Sequence, residues 1–403
     1  MAAEKVLGFA EARRCVEDHA AKLATPVAES ATLLAAAGRY LGEDIAADRD
    51  LPPFPRATRD GYAVRSADVR PGASLKLLGQ IKAGEVWKGD AIAGGQCVEI
   101  MTGAPVPEGA DAVIMVEYTQ ENGGSVKFER GAAAGENVVA AGSEGRRGQV
   151  VLKRGTCLGP AQIGIAATVG KSRVAVYRKP RVAILSTGDE VIEVESAPEV
   201  QQIRNSNSYS LAAQVMEAGG DPVILPIAPD EKVRLRSLVQ EGLESDLLLL
   251  SGGVSMGKYD LVEQVLEEFG AEFYFTGARI QPGRPIVFGR ARKGKRTYFF
   301  GLPGNPVSTL VTFDLFAAHM VAALSGGSRP LRFATAKLAK PVKTKPGLTR
   351  FLPAVLAATE VELIPWQGSG DIAATARANC YLVVPEDRPE LAAGETVQVL
   401  LPR

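Results

Sequence analysis

Histidine is nearly absent from this chain. Only His19 and His319 occur in 403 residues, so a histidine-rich metal centre or a Ser-His-Asp triad has little material to form from. Neither stands at a suggestive spacing from a carboxylate or nucleophile, and both read as structural residues, His19 on an N-terminal helix and His319 in an apolar helix after Pro306. Cysteine is scarce too: Cys15, Cys97, Cys157 and Cys380 are scattered without a C-x-x-C spacing, which reads as free, half-buried thiols in a reducing compartment. Net charge is missing as well. Lys+Arg and Asp+Glu both total 46, so no global field recruits nucleic acid or an anionic membrane. The local basic clusters, Arg146-Arg147 and Arg290 to Arg296, lack interleaved aromatics for base stacking and read as solvated loop charge. No apolar run approaches the ~18 residues of a membrane helix, and the N-terminus lacks a charged-then-apolar signal pattern. The expectation is a cytoplasmic protein with neither nucleic acid nor membrane as partner.

What the chain does have is length and glycine-rich punctuation. At 403 residues and 46% hydrophobic content it exceeds what one core serves, so several domains are expected. Between Ser186 and Ser308, three apolar β-type runs each end in a loop: Ser186-Thr187-Gly188-Asp189-Glu190, Ser251-Gly252-Gly253-Val254-Ser255-Met256-Gly257, and Leu302-Pro303-Gly304-Asn305-Pro306-Val307-Ser308. Ligands of open α/β sheets bind at the carboxyl ends of strands, where these loops would lie. Glycines let backbone N–H groups approach a phosphate, and a following helix N-terminus adds free donors and partial positive charge. Pro306 suits the first turn of such a helix, because its missing N–H has no partner there.

The intervening sequence supports a doubly wound domain. Asn205, Ser206, Asn207 and Ser208 are candidate caps for a helix whose apolar face would hold Leu211, Val215 and Met216 and which stops at Gly219-Gly220. A second helix opens near Asp230, with Val233, Leu235, Leu238 and Val239 as its buried stripe. Alternation of strand and helix indicates a mostly parallel sheet with helices on both faces. Upstream, Phe9 to Ala37 reads as helices broken at Thr25-Pro26, followed by a loop-rich stretch ending in Asp60-Gly61-Tyr62-Ala63-Val64, and the chain from there to about Val139 as a small β-domain, with a barrel as one form it could take. After the Ser325-Gly326-Gly327 linker, the runs Phe333 to Leu338, Phe351 to Leu356, Tyr381 to Val384 and Thr396 to Leu400 indicate a C-terminal β-domain. The expected partition is 1–48 with 142–178, 49–141, 179–328 and 329–403.

Two further segments look built for a polar ligand, Arg56-Ala57-Thr58-Arg59-Asp60-Gly61-Tyr62-Ala63 and Met101-Thr102-Gly103-Ala104-Pro105. Taken in order with the three loops and with Pro282-Gly283-Arg284-Pro285, they closely resemble the molybdopterin molybdenumtransferase family, the group of MoeA and the gephyrin E-domain. The resemblance runs over nearly the whole length. It implies an elongated helical and mixed domain carrying an inserted β-domain, a MogA-like doubly wound α/β domain, a β-barrel-like C-terminal domain, and a homodimer. It also implies insertion of molybdenum from molybdate into adenylylated molybdopterin, with release of AMP and a requirement for Mg2+.

Under that resemblance Asp60, Thr102, Glu190, Asp230 and Asp260 are the expected catalytic residues, with Asp260, Asp230 and Glu190 as hard oxygen ligands for magnesium. Thr187, Gly188, Asp189, Ser251, Gly252, Gly253, Ser255, Gly257, Pro303, Gly304, Asn305 and Pro306 would bind the phosphate-linked substrate. Pro282, Gly283, Arg284 and Ser308 belong to the same expected cofactor-binding set, and because molybdate is an oxyanion repelled by bare carboxylates, Arg284 and Ser308 are its candidate contacts. The chain departs from the family pattern at Glu144, Asn205, Gln281, Arg284 and Pro353. Rival readings are a molybdopterin adenylyltransferase or nucleotide hydrolase on the same α/β domain, and a gephyrin-like scaffold; handover to the adenylyltransferase and to molybdoenzymes or their chaperones would supply partners. The first two rivals lack the Asp60 and Thr102 segments.

The implied dimer places Asp60 and Thr102 of one subunit at the doubly wound domain of its partner. Asp60→Ala and Asp260→Ala homodimers should then both be impaired, and heterodimers formed by joint refolding should regain one working site. Activity of native-mass-spectrometry-verified heterodimers that stays at the parental level would place the site within one chain.

Overall fold

The structure, a computed structural model, describes residues 5–253 and 261–402; the expected site residues Ser255, Gly257 and Asp260 lie outside the described residues. The chain forms two compact units, one of Met1–Ser30, Gly38–Gly42 and Ala175–Arg403, the other of Ala31–Ala37 and Glu43–Val174.

The first unit is organised by a six-stranded sheet in the order Asp221–Ile224, Arg181–Ser186, Leu247–Ser251, Tyr298–Leu302, Val287–Arg290, Glu272–Phe275. Its first four strands run parallel, Val287–Arg290 runs against them, and Glu272–Phe275, antiparallel to Val287–Arg290, returns to their direction. The central strands are near-continuous apolar runs because both faces are covered. Side chains alternate between the faces: Val182, Ile184, Leu247, Leu249 and Phe300 enter one core with helices Phe9–Ala20 and Ser206–Glu217, whereas Ala183, Leu185, Leu248, Leu250 and Phe299 enter another with helices Lys232–Gly242 and Leu261–Glu268.

Three sequence expectations need correction. Val233 is 76% and Met216 59% exposed. The buried stripe of helix Lys232–Gly242 is Leu235, Leu238 and Val239, from which Val233 points away, and that of helix Ser206–Glu217 is Leu211, Ala212 and Val215, continued by Ala218. Residues beyond Pro26 form strand Ala28–Thr32 and a single turn, Leu33–Ala36, capped by the Thr32 hydroxyl, in place of a second full helix. The third correction concerns apolar length: Pro306–Leu324 is one helix long and apolar enough to cross a membrane, with 72% of that stretch buried inside the fold. Polar residues disguise the run. The Thr309 and Thr312 hydroxyls are satisfied by main-chain oxygens, donating to Pro303 O just ahead of the helix at 2.5 Å and to Ser308 O within it at 2.7 Å.

In the same unit, Phe333–Leu338, Thr349–Ala357, Glu360–Leu363, Cys380–Val384 and Thr396–Leu400 close into a five-stranded barrel through the pairing of Thr349–Ala357 with Cys380–Val384. Strand Ile280–Gln281 runs parallel to Thr349–Ala357, where buried Arg350 donates from Nε to Gln281 Oε1 at 2.8 Å. The second unit holds an antiparallel-rich sheet in the order Ala112–Met115, Gly61–Val64, Gln96–Ile100, Ser74–Ile81, Ser125–Phe128, Thr119–Asn122. That order is open, so a sheet stands where a barrel was one expectation. Tyr62 and Val64 pack on one side of it and Ala63 on the other. Of the cysteines, Cys97 and Cys380 are buried, Cys15 is half-buried and Cys157 exposed, and none is joined in a disulfide.

Asp314 lies on a π-helical turn, Phe313–Ala317, inside the long apolar helix. It accepts from Gln214 Nε2 at 3.0 Å, with Arg329 and Glu217 as charged neighbours and Tyr381 nearby. Burial pushes its carboxyl from 3.8 up to about 6, against the opposing effects of Arg329 and Gln214. A folded pKa above the unfolded one means that the folded chain retains a proton in that window which the unfolded chain releases. Stability from this group is therefore present at low pH and lost as pH rises through about 6. Asp314→Asn should gain urea resistance relative to wild type at about pH 7.5 more than at about pH 5; equal midpoint shifts at both values would count against the assignment.

Candidate active site

The register of the parallel strands brings the loops together. Ser186 pairs with Ser251, and Ser251 with Leu302, so all three strands end at one level. The chain then turns through backbone bonds between loops, Thr187 N–H to Ser251 O at 3.0 Å and Gly252 N–H to Leu302 O at 3.2 Å. At this edge lies a cavity of about 590 Å3, lined by Ser186, Thr187 and Glu190, by Arg204, Asn205 and Asn207, by Ser251 and Gly252, and by Gly304, Asn305 and Pro306. Gly370 and Ile372, from the segment preceding barrel strand Cys380–Val384, complete its wall, and Val307 N–H donates to Ser369 O at 3.0 Å.

Two glycines are required here by geometry. Gly252 has φ +89°, and a Cβ on it would sit 2.7 Å from Thr187 O; Gly253 has φ +62°, with Thr187 Oγ1 at 2.7 Å from the same imagined atom. Gly304 differs, since its nearest neighbour would be Gly252 Cα at 3.5 Å. Pro306 occupies the first turn of its helix after Asn305, as the sequence suggests. Asn205 is the cap of helix Ser206–Glu217, its Oδ1 accepting from Ser208 N–H at 3.1 Å and from the Ser186 hydroxyl at 2.9 Å. The buried Thr187 hydroxyl has no hydrogen-bond partner among the described residues.

Acids gather at the rim. Asp189 Oδ1 accepts from Asp230 N–H at 3.0 Å, and the Asp230 carboxyl is pushed up, first by desolvation and then by Asp189 and Glu190. The Glu190 carboxylate folds back over Gly188, whose imagined Cβ would meet Glu190 Oε2 at 2.5 Å. Such convergence of like charges favours a bound cation. Asp189, Glu190 and Asp230 therefore offer oxygen donors of the kind a hard divalent ion takes, although no group of His, Cys, Asp or Glu among the described residues forms a ready-made metal cage.

The expected oxyanion residues fall elsewhere. Pro282 and Gly283 are buried and Arg284 is exposed, and none lines the cavity; buried Ser308 does not either. Gly283 packs on the long helix, with a Cβ position 2.3 Å from Thr312 Cγ2 and 3.6 Å from Ser308 O, so these segments adjoin each other behind the loops. In the second unit the structure joins two expected residues directly: Asp60 Oδ1 accepts from Thr102 N–H at 2.6 Å and from the Thr102 hydroxyl at 2.8 Å. The backbone bond, and then the hydroxyl, hold this exposed carboxyl below its usual range. Glu144 pairs with Arg56 at 2.9 Å, a half-exposed ion pair worth about 0–1 kcal/mol. The sequence reading did not foresee Arg204, Gly370 or Ile372 at the cavity. It took Asn205 and Asn207 only as helix caps, and a cap located at the carboxyl edge of a sheet was the one signal available for them.

Family models match the chain as the MoeA N-terminal region (domain I and II) over residues 7–170, a probable molybdopterin binding domain over 183–323, and the MoeA C-terminal region (domain IV) over 335–401. The molybdopterin molybdenumtransferase of Bacillus subtilis is 35% identical, covering 91% of this chain and 87% of that protein. The enzyme of the same name from Haemophilus influenzae is 34% identical, covering 92% and 93%. The molybdopterin biosynthesis moeA protein of Pyrococcus horikoshii superposes with a TM-score of 0.79 at 29% identity, covering 99% of this chain and 100% of that one. The chain belongs to the MoeA family of molybdopterin molybdenumtransferases.

The glycine geometry is testable. Gly252→Ala should destabilise the protein by about 1–3 kcal/mol through the strained φ and the clash with Thr187 O, whereas Gly304→Ala should stay within about 0.5 kcal/mol of wild type. Denaturant midpoints of the two variants decide; equal losses would contradict the described loop geometry.

Proposed function

We infer that this protein is a transferase of molybdenum cofactor biosynthesis, inserting molybdenum from molybdate into adenylylated molybdopterin with release of AMP. The observation that carries the reading is the cavity of about 590 Å3 at the aligned ends of the parallel strands, walled by hydroxyls, glycine backbone and carboxamides, with acids at its rim. Substrate phosphates would be held by Thr187, Gly188, Ser251, Gly252, Gly253, Gly304 and Asn305, with Arg204 adding the cation of the wall. Asp189, Glu190 and Asp230 would hold a magnesium ion, together with Asp260. When bound, that ion would neutralise the phosphate oxygens and support cleavage of the anhydride to AMP. Asp60, restrained by Thr102, remains ionised and exposed, ready to orient a substrate group.

Molybdate is the second substrate, and Arg284, with Ser308 and Gly283 behind it, is its proposed contact. The proposed partition into 1–48 with 142–178, 49–141, 179–328 and 329–403 distinguishes the α/β sheet from the barrel within the first compact unit. A homodimer, a cytoplasmic location, and handover from the adenylyltransferase and to molybdoenzymes or their chaperones complete the reading. The adenylyltransferase, hydrolase and scaffold alternatives are not favoured, since the family relationship extends over all three matched regions.

Purified protein given adenylylated molybdopterin and molybdate should release AMP and yield the metal-loaded cofactor, with loss on chelation and recovery with added magnesium. Asp230→Asn should raise the magnesium concentration needed for half-maximal AMP release. Absence of AMP release from folded wild-type protein would overturn the reading, and an unchanged magnesium requirement in the variant would remove Asp230 from the ion.

A further inference from the structure

Asn205 and Asn207 sit two positions apart and do different things. The Asn205 carboxamide is enclosed in a buried network, accepting from the Ser186 hydroxyl and Ser208 N–H and donating to Ser208 Oγ at 3.0 Å. Asn207 instead reaches from the first turn of helix Ser206–Glu217 across to two loops. Its Nδ2 donates to Ser251 Oγ at 2.8 Å and to Gly304 O at 2.7 Å. A carbonyl oxygen can only accept, so the amide nitrogen must face Gly304, and the orientation of the carboxamide is settled by chemistry.

Both contacts have consequences for the cavity. An NH2 group has no acceptor capacity, so Ser251 Oγ accepts here and its own hydrogen must point elsewhere; no acceptor for it occurs among the described residues. In a trans peptide the carbonyl and the following N–H point in opposite directions. With Gly304 O tied back to Asn207, the Asn305 N–H is turned the other way, where it has no partner among the described residues. One side chain thus removes a carbonyl and a hydroxyl lone pair from competition and leaves two hydrogen-bond donors unspent. Both donors belong to residues of the cavity wall, beside the unpartnered Thr187 hydroxyl.

We propose that Asn207 is a positioning residue that sets the polarity of the two phosphate loops, making Ser251 and the Gly304–Asn305 peptide donors to the phosphate groups of the substrate. The inference rests on the reading of this cavity as the site of a phosphate-linked nucleotide. It assigns Asn207 no contact with the reacting atoms. Its effect is on the hydrogen-bond direction of groups that do touch the ligand, and it requires the amide nitrogen, which an isosteric carboxylate lacks.

The test uses the full-length protein with AMP and inorganic pyrophosphate as separate calorimetric probes. Asn207→Ala, which introduces no charge, should weaken both by about tenfold, the scale of a hydrogen bond lost to an ionised partner. Asn207→Asp, of the same shape, should weaken both further, because its oxygens would accept from Ser251 and repel Gly304 O. Ser251→Ala should weaken binding in the wild-type background and add little in Asn207→Ala, since the two act through one donor. Thermal midpoints measured alongside separate this from a structural role, which would lower stability while leaving the Ser251 effect additive. Should Asn207→Asp fail to fold, the alanine cycle decides alone. Wild-type-like binding by Asn207→Ala, or additive effects in the double variant, would overturn the proposal while leaving the function intact. Folded wild-type protein that binds neither probe would overturn both.

Discussion

Three parallel strands buried on both faces, ending at the same level, are the constraint on which the first unit depends. Ser186, Ser251 and Leu302 are in register, and the residues before them alternate between two apolar cores. A slip of one residue would exchange the faces of a whole strand. It would drive Leu248 and Leu250 out of the packing with Leu235, Val239 and Val265 and into that of Val215 and Phe313. The loops beyond the strands inherit this precision. Their backbones approach so closely that a Cβ on Gly252 or Gly253 would collide with Thr187.

From that register follows the electrostatic character of the cavity. Carbonyls at the strand ends are consumed within the protein: Ser251 O by Thr187, Leu302 O by Gly252 and Gly304 O by Asn207. Donors are left over, along with the start of a long helix whose apolar body is buried beneath. The acids are kept to the rim, where burial first, and then the neighbouring Asp189 and Glu190, raise the cost of ionising Asp230. Donors thus face inward and acids lie at the edge, the division on which the proposed binding of a phosphate-linked substrate with a divalent ion rests. The same unit carries the barrel segment with Gly370 and Ile372 to the wall, so the C-terminal region takes part in shaping the cavity.

Legibility in the sequence followed the range of the interaction. The loops, the Pro306 helix start and the Asn205 cap rest on local chemistry, on φ, on a missing N–H and on a side chain reaching three residues along, and each could be read from its neighbours. Val233 and Met216 were misread because an apolar residue beside a buried stripe looks like part of it until the helix is rotated against its sheet. The helix after Pro306 could be read from the sequence but its full apolar length could not, because Thr309 and Thr312 interrupt the run, their hydroxyls donating to main-chain oxygens of Pro303 ahead of the helix and of Ser308 within it. Asp60 and Thr102 were singled out by their order in the chain, but that one carboxylate oxygen takes two bonds from the other residue is a product of the fold.

The sequence by itself determined the alternation of strands and helices, the positions of the turns and the family, because these are written in periodicity, in glycine and proline, and in motifs that keep their order. Tertiary structure decided which polar groups face one another across loops far apart in the chain. Asn207 meets Gly304, Asp189 meets Asp230, and Ile372 reaches the strand edge, through packing of elements whose relative placement no local pattern encodes. The physical reason is that periodicity tells which face of an element is apolar, whereas hydrogen-bond direction within a site depends on ångström-scale distances between elements, and those are set only when the two cores close around the sheet.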